Sequence, residues 1–308
     1  MGRLILVMTT TTLEMPERER TAQRLLRSAA KTSFDPTVEV YWNADQPADV
    51  FYAPPMYSSL FGTELWEQMT PEQRVQLTKH EVASIASVGI WFEEILMQML
   101  LRHAYDRDLT RKDIQWTLTE IADECRHSIM FATMIKTFNA PNYGVKRLSH
   151  ELGRLFKTIS NGVQTFAGTM YVEEILDAFQ RDAMDDETLQ PIVRQVSRIH
   201  VIEEARHISF AREESIRAMA TTGVIRRTYN RLMIGLVIRR ATQGLIHDDV
   251  YANVGLDKKA AKKAAKNNPH WRATKTRAAA KVLAFFDESG LIGWENRWLL
   301  RAAGVVPA

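Results

Sequence analysis

The sequence predicts an all-α protein: a four-helix bundle with an irregular N-terminal arm and additional C-terminal helices. Three observations carry that reading. Apolar residues recur at periods of three and four from about residue 71 onward. Strand-like alternation is hard to find. Glycine (14) and proline (10) are sparse for 308 residues, so long uninterrupted helices are permitted.

The elements follow in order. Residues 1–70 differ from the rest: a short charged helix is expected over Pro16–Lys31, then an aromatic, proline-rich stretch from Phe34 to Tyr57. Its Trp and Tyr residues argue for an arm lying on a core rather than disorder. Thr70-Pro71-Glu72-Gln73 is a helix start, with Thr as N-cap, Pro in the first turn and Gln at capping-box spacing. Long helices are expected over 71–105, 110–138, 146–184 (with possible breaks at Gly153 and Gly162) and 188–220, the last with Pro191 in its first turn. Four helices of this length suit a bundle. Further helices are expected over 225–246, 258–266, 268–286 and 294–303. No linker composition appears, so residues 1–70 (arm), 71–220 (bundle) and 221–308 (added helices) are read as one domain.

Composition narrows the function classes. The chain is 45% apolar and 25% charged, an ordinary globular balance. One cysteine, Cys125, precludes an intrachain disulfide and suits a reducing cytoplasm. The apolar run Leu4–Met8 is too short for a signal-peptide core, and nothing approaches 18 apolar residues in a row, which excludes a membrane span. A net charge of +3 does not point to nucleic acid. The lysines at 258, 259, 262, 263 and 266 read as the solvated face of an amphipathic helix.

An internal repeat carries the chemistry. Glu93-Glu94-Ile95-Leu96 returns unchanged as Glu173-Glu174-Ile175-Leu176, 80 residues later. Asp123-Glu124-Cys125-Arg126-His127 returns at the same offset as Glu203-Glu204-Ala205-Arg206-His207. This describes two helical hairpins related by approximate two-fold symmetry, each giving a Glu from its first helix and Glu-x-x-His from its second. Residues i and i+3 share a helix face, so Glu124 with His127, and Glu204 with His207, can each aim a carboxylate and an imidazole at one point. That donor set matches a carboxylate-bridged dimetal site in a four-helix bundle. Oxygen-rich donors with few imidazoles favour iron or manganese, and no Cys-x-x-Cys offers a thiolate site. His200 lies one turn before Glu204 and breaks the repeat, since its counterpart is Glu120. A third imidazole would make the site asymmetric.

A lone Glu-x-x-His is commonly a solvated helix pair. Two copies at one offset from two identical Glu-Glu-Ile-Leu blocks, set among apolar residues, call for a counter-charge instead. Of each doublet, Glu93 and by the repeat Glu173 are favoured as inward, because the Glu94 face is more polar; Glu94 and Glu174 remain the alternatives. Asp123 and Glu203 are candidates to hold the outer nitrogens of the histidines, with Arg126 and Arg206 pairing to these acids, or else the four form plain interhelical ion pairs. Cys125 is expected to be an inert packed thiol, and Tyr171 to face away from Glu173.

These residues resemble the p-aminobenzoate N-oxygenase (AurF-type) family of ferritin-like non-haem di-iron oxygenases. The likeness lies in Glu124-x-x-His127, a Glu near 173, and His200-x-x-x-Glu204-x-x-His207. Outside the site it includes Ser59-Leu60-Phe61-Gly62-Thr63 with Trp66, Asn268-Pro269-His270, and Phe285-Phe286-Asp287-Glu288-Ser289-Gly290-Leu291-Ile292-Gly293. The stretch between His127 and Glu173 is shorter than the family pattern, which implies a trimmed connection and a different pocket mouth. The resemblance implies a metal set of Glu93, Glu124, His127, Glu173, His200, Glu204 and His207 around two iron ions, with molecular oxygen as co-substrate. It implies oxidation of an arylamine through hydroxylamine and nitroso stages to nitro, in a homodimer. No flavin or nicotinamide fingerprint is visible, so electrons are expected from a ferredoxin or another external reductase. Rival readings on the same scaffold are a manganese or iron–manganese oxidase, a radical-generating protein, and a non-catalytic metal-binding or iron-storage bundle.

Overall fold

The computed structural model describes residues 17–160 and 162–307; Pro16 and the run Leu4–Met8 lie outside them. Helices follow one another along the chain: α1 (Glu17–Lys31), α2 (Pro36–Glu39), α3 (Glu64–Gln68), α4 (Pro71–Tyr105), α5 (Lys112–Thr137), α6 (Arg147–Ile159), α7 (Val163–Met184), α8 (Pro191–Ala220), α9 (Val224–Gly244), α10 (Asp249–Asn253), α11 (Lys258–Asn267), α12 (Pro269–Glu288) and α13 (Trp294–Ala303). Among the described residues there is no β-strand, only a bridge between Phe51 and Leu189.

The central bundle is α4, α5, α7 and α8. Helix α4 starts where the capping box predicts: Gln73 N–H donates to Thr70 Oγ1 at 3.2 Å, and Thr70 N–H donates to Gln73 Oε1 at 3.1 Å. Helices α4 and α5 form one hairpin and α7 and α8 the other. The stretch 146–184 is two elements, divided at the second of the two expected breaks, Gly162. Helix α6 ends at Ile159 with Ser160 as its C-cap, and Gly162, with a left-handed φ of +48°, is the N-cap of α7. The link from α5 to α7 runs the length of α4. Tyr143 O–H meets His80 Nδ1 at 2.6 Å near its start, and Arg102 donates to the Lys157 and Thr158 carbonyls near its end. Gly153, read as a possible break, lies inside α6, where a Cβ would meet the Trp91 ring at 2.4 Å. It allows close approach to α4 rather than a turn.

By length and composition α4 could cross a bilayer, a point that counting consecutive apolar residues does not reveal. Yet 56% of its most apolar window is buried inside the bundle, as befits a core helix. The core has two ends. One is filled by Leu96, Leu100, Trp116, Phe166, Met170 and Phe210. The other gathers Ala86, Phe131, Met134, Val193 and Val196 beneath Tyr52 of the arm. Helix α3 was not expected; Thr63 caps it by accepting from Trp66 N–H at 3.3 Å.

The added helices pack as tightly as the bundle. On α9, a Cβ at Gly235 would lie 2.8 Å from Asn296 Cβ and from Leu299 Cδ1 of α13. Gly235→Ala should therefore push α13 away and cost about 1–3 kcal/mol, seen as a lower midpoint in thermal unfolding.

Candidate metal centre

All seven residues singled out in the sequence converge at mid-bundle. Glu93 comes from α4, Glu124 and His127 from α5, Glu173 from α7, and His200, Glu204 and His207 from α8; each is at most 2% exposed. Four groupings bring potential ligand atoms within 4.8 Å of one another: Glu93–His127–His200, Glu120–Glu124–His207, Glu124–His127–Glu204 and Glu173–His200–Glu204. The members of each doublet differ in burial and partners. Glu94 is exposed. Glu174 is buried but points elsewhere, into ion pairs with Arg212 (2.5 Å) and Lys281 (2.9 Å).

The histidines are gripped from both sides. His127 Nδ1 lies 3.1 Å from both Glu124 Oε2 and Glu204 Oε1, and His207 Nδ1 lies 3.1 Å from Glu124 Oε1 and Glu204 Oε1. The outer nitrogens cross between hairpins: His127 Nε2–H donates to Glu203 at 2.9 Å, and His207 Nε2–H donates to Asp123 at 3.2 Å. Arg206 approaches both acids (3.5 Å to Glu203, 3.7 Å to Asp123), and Arg126 bonds Asp123. Each hairpin thus orients the other's imidazole and leaves Nδ1 facing the cluster.

Electrostatics follow from the burial. For Glu93 and Glu173, burial and then neighbouring carboxylates push the carboxyl well above its ordinary range. Burial also opposes ionisation of Glu124, but the His207 and His127 imidazoles outweigh it and hold that carboxyl well below. Burial disfavours charge on His127 and His207, and the surrounding carboxylates reverse that, raising both. His200 differs: burial takes it down to about 4, so the ring is neutral, and Gln180 Oε1 accepts from its Nδ1–H at 2.6 Å.

A cation fits this donor set. Both oxygens of Glu93, one oxygen each of Glu120, Glu173 and Glu204, and His200 Nε2 are buried and make no hydrogen bond within the protein. Buried lone pairs without partners are expensive, and a shared metal satisfies them together. Glu120 is the residue that sequence reasoning left out of the set. Its carboxyl is pushed up to about 8 by burial and it shares a grouping with Glu124 and His207. The repeat held the signal, because Glu120 is the counterpart of His200.

A cavity of about 80 Å³ lies beside the cluster. Gly89, Phe131, Leu176 and Ser197 line it, and each is three or four residues from Glu93, His127, Glu173 or His200 respectively. One turn of each core helix therefore separates cavity from cluster, about 5 Å. Gln180 is also in its wall, and the Phe131 ring stands 4.9 Å from the His200 ring. Tyr52, Ala53, Pro54 and Tyr57 of the arm form one side of it. Glu81 lines the cavity too. Burial raises its carboxyl to about 7, while Ser59 donates to it from N–H at 2.9 Å and Oγ–H at 2.6 Å. A second concavity, at Glu94, Gln98 and Lys157, touches none of the cluster residues. Cys125 is exposed rather than packed, with its thiol 3.4 Å from Met97 Sδ. Its place on the α5 surface follows from Glu124 being inward. Tyr171 is buried and bonded to Thr242 Oγ1 at 2.6 Å, away from the cluster.

A family model described as p-aminobenzoate N-oxygenase AurF matches residues 15–290. Uncharacterised proteins of Mycobacterium bovis and Mycobacterium tuberculosis are 25% identical over 229 residues, covering 72% of this chain and 67% of theirs.

The crossed outer contacts predict a measurable effect on metal binding. Glu203→Ala removes the acceptor that holds the His127 ring and should weaken metal binding about 10–100-fold, as read by competition with a chromophoric chelator.

Proposed function

The chain belongs to the p-aminobenzoate N-oxygenase AurF family, and on that premise we propose that it is an oxygen-dependent di-iron N-oxygenase acting on a small amine. The observation that carries this reading is the set of buried, unpartnered carboxylate oxygens around His200 Nε2, one helical turn from a largely apolar cavity.

Glu93, Glu124, His127, Glu173, His200, Glu204 and His207 would hold the two ions, with Glu120 in reach as a further carboxylate. Iron bound there supplies the stepwise electron transfers that dioxygen reduction requires. The protein's own part is positional. Glu203 and Asp123 fix the ring planes of His127 and His207. Gln180 fixes His200 with Nε2 inward. The arm residues Tyr52 and Tyr57 cover the cavity and keep water from the amine. Leu96, Leu100 and Trp116 seal the opposite end, so an amine reaches the cluster from the His200 side. Reducing equivalents come from a ferredoxin or another external reductase.

Metal analysis of the purified protein should give two iron per chain, falling below one in Glu204→Ala or His207→Ala. Aerobic turnover of an amine panel with a chemical reductant should add one oxygen to the amine, or two with loss of hydrogen, by mass spectrometry. Manganese in place of iron, or no oxygen transfer to any amine, would favour the rival oxidase. A homodimer is supported by α6, where Leu148, Leu152, Leu155 and Ile159 form an exposed stripe at helical spacing. Light scattering should report twice the chain mass, and Leu152→Glu should return it to one chain.

A further inference from the structure

The charge of the cavity wall constrains which amine can enter. Among the described residues that line it, Glu81 is the one ionisable acid and there is no lysine, arginine or histidine. The remaining polar groups in the wall are Tyr52, Tyr57, Gln180 and Ser197. Arg277, which contacts the lining residue Tyr57, is committed elsewhere: it lies over the Tyr57 ring at 5.0 Å and pairs with Asp182 at 3.2 Å. Tyr57 itself bonds Asp182 and Arg277.

A substrate carboxylate placed here would be stripped of water with no counter-ion and would face a second acid. Both effects oppose binding. A neutral ring loses little on entering such a wall, and an ammonium group gains from Glu81. Glu81 is held in place from behind, because Ser59 donates to it twice and the Ser59 carbonyl accepts from Asn268 Nδ2–H at 2.9 Å. The space admits little: a benzene ring fills a cavity of about 150 Å³, so even one ring requires the arm to give. Resting on the N-oxygenase reading, we propose that the cavity takes a single-ring amine without a carboxylate, uncharged or cationic, and that Glu81 is the residue that sets this preference. The carboxylate-bearing p-aminobenzoate for which the family is described is thereby a poor ligand of this chain.

Equilibrium binding to the full chain with its metal complement tests this without turnover. The probes are p-toluidine (neutral), 4-(aminomethyl)aniline (cationic) and p-aminobenzoate (anionic), measured by titration calorimetry. The first two should bind at least tenfold more tightly than the third. In Glu81→Gln, which keeps the acceptor for Ser59, the gap between the cationic and anionic probes should shrink at least threefold. A gap below tenfold in the unaltered protein, tighter binding of p-aminobenzoate, or binding of none of the three overturns the proposal. A gap unchanged in Glu81→Gln removes Glu81 from it. A protein that binds the carboxylate-free amines as expected yet oxygenates none would fail the N-oxygenase reading alone.

Discussion

The structure turns on the placement of acids where a bundle ordinarily keeps hydrocarbon. Glu93, Glu120, Glu124, Glu173 and Glu204 are all buried at mid-bundle, and several of their oxygens have no protein partner. Elsewhere the same chain buries acids differently. Glu174 is neutralised by Arg212 and Lys281, and Glu81 accepts from Ser59. The central five have only His127 and His207 to answer them, and those imidazoles serve Glu124 and Glu204 first. Like charges at this spacing without water cannot all ionise unless cations are shared among them. The long helices, the crossed histidine contacts and the sealed lower core all serve to hold that cluster in one geometry.

Much of this architecture is legible in the sequence because its signals are local or periodic. Thr70 and Gln73 announce α4, and the pattern of threes and fours gives α4, α5 and α8 to within a few residues. The 80-residue repeat places Glu93 beside Glu173 and pairs the two Glu-x-x-His turns. Other features are not local. Gly162 and Gly153 look alike in a helical pattern, yet one takes a left-handed φ and precedes the first turn of a helix, while the other stays helical to admit Trp91. Only the packing partner tells them apart. Gln180 carries no mark in sequence, because its role is set by His200 on a different helix. The cavity is illegible for the same reason: its wall is assembled from residues one turn away from four separated positions.

The blocks outside the site that resemble the family acquire a physical role once the chain is folded. Ser59 and Asn268 are far apart in sequence, but Asn268 donates from its side chain to the carbonyls of Ser59 and Phe61, at 2.9 and 3.0 Å. The Phe61 and His270 rings meet at 4.9 Å. Ser59 in turn fixes Glu81, and Tyr251 reaches the Ser59 hydroxyl at 2.9 Å. The arm and the added helices therefore brace Glu81 from behind. This explains why a protein whose ligands sit within four helices needs so much chain around them.

The repeat also shows where symmetry had to be given up. Two hairpins of identical donors would surround both ions alike and leave no preferred direction of approach. The break at His200 and Glu120 coincides with the two unlike ends of the bundle. His200 lies beside Phe131, Gln180 and the cavity, whereas Glu120 shares its grouping with His207, whose ring stands 5.9 Å from that of Trp116 at the filled end. The neutral, nitrogen-donating side of the cluster thus faces the cavity, and the extra acid faces the filled end. On the cavity side the cluster presents the neutral His200 imidazole, oriented by the Gln180 amide, and Glu120 stands on the far side.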